Sequence, residues 1–425
     1  MRKISLLLII CMISMTLSSC YDANEVDNLL HVTIIGVDRG IADKWRLTVM
    51  FPTLKEESEG GSSGSGGGQG LQNEYDSISV DAPSFFTGID MINSTLARRL
   101  NFMHAEFLVI SEDLAKSGML REFIDSIIRF RQIRRSMHVF VSKCSAMELV
   151  EAAEPAVGTA LSKNMQILVE ESKITGFFPH VTLENFYEQM KSTYQQPAVM
   201  VQSLSSNKNF KTEGEKWEGG YKTGGEYHAG EIPISKQGKI EAFGTAVFDG
   251  DKMIDELTGD ETRLMQIANG KFSMGSFTIP DPRNPSLIIP FDVRKAKEPK
   301  VTMKFDKDKP IINLEIKLEG DLLSVQSMID YEQPELKYLA EKAFEKHIKD
   351  DLDRLILKCQ KLKADIFGFG NFAARHFPTI QEWEGYSWFD KFQNADITTE
   401  INFTIRRTGT QLKSSPIVST EEKPR

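Results

Sequence analysis

What this chain lacks narrows its chemistry before anything else. It has no His-Glu-x-x-His, no Cys-x-x-Cys and no two of its seven His four residues apart, so no metal site is written in the pattern. Four Cys in 425 residues are too few for a disulfide framework. Basic charge is not in excess: 51 Lys and Arg against 60 Asp and Glu give a net charge of −9. That balance argues against a nucleic-acid partner, which needs a basic face. Mean hydropathy of −0.28 excludes a multi-span membrane protein. Gly (30) and Pro (16) lie near average usage, which excludes a collagen-like or wholly disordered chain. What remains is a globular protein of two or three domains, at the usual domain size of about 100–200 residues.

The one notable apolar run is at the N-terminus. Met1, Arg2 and Lys3 are followed by residues 4–15, mostly apolar. Twelve residues as a helix reach only about 18 Å, short of a bilayer core of ~30 Å, so the run reads as the core of a signal peptide. Leu17-Ser18-Ser19-Cys20 follows, with a branched residue at −3, two small residues and then Cys, the pattern of a bacterial lipobox. A peptidase that accepts only small side chains would cleave before Cys20, and its thiol would carry a diacylglyceryl thioether. Several acyl chains on one residue tether a protein firmly, at ~0.8 kcal/mol per buried CH₂. Loss of residues 1–19 removes Arg2 and Lys3 and leaves 49 basic against 60 acidic residues, net −11. The mature chain is therefore expected to hold the membrane by its lipid. Cys144 and Cys359 are expected as buried free thiols, since Cys359 falls on a helical apolar stripe.

The rest reads as α+β: two to three mixed α/β domains with antiparallel or mixed sheets and a long C-terminal amphipathic helix. Strands at 32–38 and 45–51 form an antiparallel pair. The Gly/Ser tract at 60–70 is a loop. A helix from Pro83 to about Leu100, a strand at 106–110, a helix at 120–130 and a strand at 138–141 complete a mixed unit. Helices near 146–153, 159–174 and 183–191 are expected to lead away from it, before a strand at 197–204. A polar, Gly-rich connection at 205–230 follows. The second half opens with a hairpin over 240–257, turned at Asp249-Gly250. A helix at 259–269 and strands at 271–279, 287–293, 301–305 and 311–318 come next. Residues 334–363 carry apolar residues from Leu336 to Leu362 at spacings of three and four, a helix of about 45 Å. A strand at 398–405 closes the unit. The expected organisation is thus a signal peptide at 1–19, an N-terminal unit at 20–204, the connection at 205–230, a C-terminal unit at 231–409 and a disordered tail at 410–425.

Catalytic motifs occur only by accident of composition. Gly60-Gly61-Ser62-Ser63-Gly64 matches G-x-S-x-G inside a low-complexity run, with no strand–turn–helix frame. Ser205-Ser206-Asn207-Lys208 and Lys222-Thr223-Gly224 echo penicillin-binding signatures without a buried helix to present a nucleophile. Gly368-Phe369-Gly370-Asn371-Phe372-Ala373 matches a dinucleotide fingerprint but follows a helix rather than a strand. It is better read as a helix junction capped by Asp365, where glycines allow close packing. Four Arg lie within residues 129–135, as a helix-end or partner contact. No cofactor, metal or catalytic residue is expected, and the only site residue is the lipid attachment at Cys20.

Several segments stand out together: Cys20-Tyr21-Asp22 with Glu25-Val26, Ile34-Ile35-Gly36-Val37-Asp38, and His104 through Ser111. Further on come Arg129 with Arg134-Arg135, Gly244 through Asp249 with Leu257, Asp365 through Gly370, and Ile405 through Gly409. In these residues, and in their order over nearly all of the mature chain, the sequence resembles the Ger(x)C family, the C-subunit lipoproteins of nutrient germinant receptors in spore-forming bacteria. Tyr21 stands where the family usually has Trp, which leaves the lipid site untouched. The resemblance implies three mixed α/β domains and a non-enzymatic subunit on the outer face of the spore inner membrane. It also implies two integral membrane subunits as partners. The alternative from the residues alone is a lipid-anchored solute-binding protein with a cleft between two similar lobes, handing a nutrient to a transporter.

Overall fold

The computed structural model describes residues 28–53, 75–153, 161–206, 208–216, 221–235 and 238–409. Cys20, the Gly/Ser tract at 60–70 and the tail at 410–425 lie outside the described residues.

The first half is organised on an eight-stranded sheet. Its strands are β2 (Ile34–Arg39), β3 (Trp45–Pro52), β4 (Tyr75–Ala82), β6 (Phe107–Ser111), β7 (His138–Ser142), β8 (Ala198–Leu204), β9 (Ile240–Asp249) and β10 (Lys252–Leu257). They lie in the order β10-β9-β8-β7-β6-β2-β3-β4. The four central strands, β8, β7, β6 and β2, run parallel, and an antiparallel pair extends each edge. Phe-Leu-Val-Ile in β6 and the Val-Phe-Val run of β7 are continuously apolar, as strands covered on both faces must be. Alternate residues enter different cores. Ile35, Leu108, Ile110, Val139 and Val141 pack against α1 (Phe85–Asn93), α2 (Glu112–Ser117), α3 (Leu120–Ile128) and α6 (Leu183–Met190). Ile34, Phe107, Val109 and Phe140 pack against α4 (Ala146–Glu151) and α5 (Leu161–Thr175). The helices expected to lead away from this unit instead cover it, α4 and α5 on the second face and α6 on the first, because strands apolar on both sides need two layers of cover.

Two further expectations change. The helix opened near Pro83 ends at Asn93, not Leu100. Ser94 Oγ donates to Met91 O and Thr95 Oγ1 to Ile92 O, taking the last carbonyls, and Asn93 Oδ1 accepts from Leu100 N. Residues Arg99–Asn101 then form β5, parallel to β1 (Leu29–His31). The hairpin β9–β10, read from sequence as the start of the second half, adds to the first sheet through β8. Its side chains divide between units: Ala246 and Phe248 join the first core, and Val247 and Leu257 join the second.

The second unit has α7 (Gly259–Ala268) and strands β11 (Met274–Pro280), β12 (Ile288–Lys295), β13 (Lys300–Asp306), β14 (Lys309–Leu322) and β15 (Asp396–Arg407). A capping box between Thr258 and Glu261 starts α7. Along one edge, β14 pairs first with β13 and then with β12; along the other it pairs in parallel with β15. Ile312, Leu314, Ile316, Leu318 and Leu322 are buried at period two. They face α8 (Pro334–Lys361), whose Phe344, Ile348, Leu352 and Leu355 lie at helical spacing. Phe344 stacks on Phe403 of β15 with centroids 4.0 Å apart. The opposite face carries ion pairs: Lys317–Glu315 at 2.7 Å, Arg406–Glu319 at 2.9 Å and Arg294–Asp292 at 2.7 Å. Three short helices, α9 (Gly370–Ala373), α10 (Ile380–Tyr386) and α11 (Trp388–Phe392), connect α8 to β15. Mixed sheets, helices between them and the long C-terminal helix match the expected α+β class. Cys144 and Cys359 are free thiols, half-buried and buried.

Candidate functional site

The densest polar construction is a joint built on Asp365. As α8 ends, Lys363 adopts a left-handed conformation and the chain turns back. Asp365 has no exposed surface. Its Oδ1 accepts from the backbone N–H groups of Phe367 (3.1 Å), Gly368 (2.9 Å) and Phe369 (3.2 Å). Its Oδ2 accepts from Gly370 N (2.7 Å) and the indole Nε1 of Trp388 (3.0 Å). Burial pushes this carboxyl up to about 6 against the pull of its N–H donors. Glycine is required twice here. Gly368 has φ of +78°, and a Cβ on Gly370 would stand 2.2 Å from Tyr194 O. The fingerprint-like glycines are therefore a capped helix junction, as their position after a helix suggested.

The joint reaches into the first unit. Asp365 O accepts from Gln196 N at 2.9 Å, and Trp383 Nε1 donates to Thr193 Oγ1 at 2.8 Å. Tyr194 stacks on Trp383 with centroids 5.2 Å apart and planes 10° apart. On its other side Gln196 donates through Nε2 to Asp249 Oδ1 (2.9 Å) and accepts at Oε1 from Gly250 N (3.0 Å). Residues 193–196, just before β8, are thus clasped between the Asp365 turn and the β9–β10 turn. Lys358 of α8 adds ion pairs to Asp255 (3.2 Å) and Glu261 (3.0 Å). A carboxylate with five donors and no exposure is placed to hold chain segments, not to meet a substrate.

Other sequence candidates are brought together less. Thr223, from the Lys-Thr-Gly echo, hydrogen-bonds Glu226 and Asp260. Among the described residues no cluster of three His, Cys, Asp or Glu could hold a metal. His138 Nδ1 and His180 Nε2 do meet at 2.8 Å, a pairing with no sequence signal. Burial and the neighbouring His180 hold His138 down at about 4. Among the described residues no helix is long and apolar enough to cross a membrane.

Two family models match in chain order: "Spore germination protein N-terminal domain" over residues 22–204 and "Spore germination B3/ GerAC like, C-terminal" over residues 243–409. The chain belongs to the Ger(x)C family. It is 24% identical to "Spore germination protein YndF" of Bacillus subtilis (strain 168), covering 96% of this chain and 98% of that one. It is 22% identical to "Spore germination protein KC" of the same organism, over 98% of both. The crystal structure of the GerBC protein superposes with a TM-score of 0.50 at 15% identity, over 87% of this chain and 96% of that chain, and shows a shared fold.

Among the described residues, several segments that carried the Ger(x)C resemblance have structural roles. Asp38, buried at the end of β2, accepts from Ala146 N (2.7 Å) and Met147 N (3.0 Å) and so caps α4. Gly36 admits α4 to the sheet, since a Cβ there would lie 3.1 Å from Val150. Asp249 holds Gln196, and Asp365 holds the joint. What sequence reasoning missed is the partner set of Gln196, Thr193, Tyr194 and Trp388, which only tertiary contact brings near Asp365.

Proposed function

We propose that this Ger(x)C protein is a non-enzymatic subunit of a nutrient germinant receptor. In this reading a diacylglyceryl group on Cys20 tethers it to the outer face of the spore inner membrane, beside two integral membrane subunits. The observation that carries the reading is the match to both family models, in order, over most of the chain. The absence of nucleic-acid character in the net charge of −9 is consistent with it. The solute-binding alternative expects two similar lobes, whereas the two units here are built on sheets of different size and topology. The buried and fully bonded carboxylate at the joint fits a protein that transmits contact rather than one that turns over substrate.

The test is dipicolinate release from spores lacking the gene, challenged with a panel of nutrients and with a receptor-independent trigger. Loss of response to some nutrients, with the other trigger intact, is expected. Normal response to every nutrient would overturn the reading. Separately, Cys20→Ala should leave the protein folded but absent from the membrane fraction; full activity of the unanchored protein would refute the tether.

A further inference from the structure

We infer that the rim around β1 and β5, with the loop at residues 129–135, is the face that lies against an anionic lipid surface. This deepens the reading above and rests on its lipid anchor at Cys20. The net charge of the chain is negative, yet residues 84–104 and 129–135 hold six Arg and a single acid, Asp90. Arg99, Arg129, Arg131, Arg134 and Arg135 are exposed. Only Arg135 has an ion pair among the described residues, to Glu184 at 3.7 Å. Interspersed with them are three large apolar side chains left to solvent, Phe86 at 44%, Met91 at 40% and Met103 at 51% exposure.

These segments form one continuous surface. Phe86 meets Phe130 with centroids 5.5 Å apart, and Phe130 meets Phe102 at 5.7 Å. Phe102 N donates to Gln132 Oε1 at 3.0 Å, which fastens the arginine loop to the end of β5. Arg99 sits opposite Leu29 in the β1–β5 pair.

That position selects the occupant. The described chain begins at Asn28, and the eight residues from Cys20 can span at most about 28 Å when fully extended. A lipid on Cys20 therefore keeps this rim close to the headgroups, whatever path the linker takes. Unpaired arginines beside exposed apolar side chains suit a phosphate-bearing interface, where the cations meet headgroups and the apolar groups enter the acyl boundary. Docking here would fix the orientation of the whole molecule and decide which surfaces face neighbouring subunits.

The test uses the full lipidated protein in nanodiscs of phosphatidylcholine, with or without phosphatidylglycerol, followed by hydrogen–deuterium exchange. Protection of segments 84–104 and 129–135 in anionic discs alone is expected. Each Arg→Gln change among Arg99, Arg131 and Arg134 should lower the docked-to-undocked ratio about fivefold, with exchange elsewhere unchanged. Equal exchange in both kinds of disc would overturn the proposal. So would protection that appears only when the integral membrane subunits are added, which would assign the rim to an acidic protein face. Mass spectrometry of Cys20 reports the anchor independently. Were it unlipidated, flotation of the full chain with anionic against neutral vesicles would still decide the surface.

Discussion

The eight-stranded sheet is covered on both faces and the five-stranded sheet on one, and neighbouring residues of their central strands record the difference. In β2, Ile34 and Ile35 are both buried, in different cores. In β14, Ile316 is buried while its neighbour Lys317 points to solvent, with 44% of its side chain exposed. A strand between two helical layers buries both parities, so its few polar residues, such as Asp38 and Gln202, are buried too, whereas a strand with one layer carries charge at every second position. The first unit is thus closed on itself, and the second leaves a charged ladder open.

The largest expected effect breaks both units at once. Asp365→Ala would strand four backbone N–H groups and the Trp388 indole in a dry turn, and should cost about 4 kcal/mol in denaturant unfolding. The comparison itself is sharpened by paired truncations. Ile34→Ala and Ile35→Ala should each lose about 3 kcal/mol, and Ile316→Ala a similar amount, while Lys317→Ala stays within about 0.5 kcal/mol. Equal losses at Ile316 and Lys317 would show that something covers the open face.

A smaller effect separates the units by pH. His138, on the first sheet, is held at about 4 by burial and by His180, below the value near 6.5 of an unfolded imidazole. Its folded state favours the neutral ring, so the stability it supports is complete above pH ~6.5 and is lost as pH falls toward 4. The ring is half-exposed, so the loss should be about 1 kcal/mol. In acid titration of stability, His138→Gln should flatten that slope; an unchanged slope would remove the pair from the account. The smallest effect is expected at Arg406→Gln, where an exposed pair with Glu319 should be worth under about 0.5 kcal/mol.

Much of this was legible from local pattern. The period-two alternation of β14 and the three-and-four spacing of α8 are short-range signals and place those elements correctly, and the hairpin's turn falls one residue later than expected, on Gly250-Asp251 between the paired Asp249 and Lys252. Asp365 was legible as a cap because the carboxylate and the N–H groups it serves are a few residues apart. The placement of β9–β10 was not, because a hairpin's sequence specifies its own pairing and says nothing of which sheet edge receives it. The early end of α1 was obscured by Leu96 and Leu100, which continue an apolar spacing that the Ser94 and Thr95 hydroxyls interrupt. The clasp on Gln196 had no signal at all, since its partners come from two distant segments, the Asp365 turn and the β9–β10 turn.

The parallel pairing of β14 with β15 bears on the order in which this protein can be finished. Ile311 lies opposite Asp396, and Gly320 opposite Ile405, so one whole edge of the longest strand waits for the last described strand of the chain. During synthesis, which delivers the N-terminus first, β2 to β8 can assemble while the second unit still shows an unpaired apolar edge. A chain cut short before residue 396 would keep that edge open to another copy. Completion of the second sheet thus turns on the last described strand.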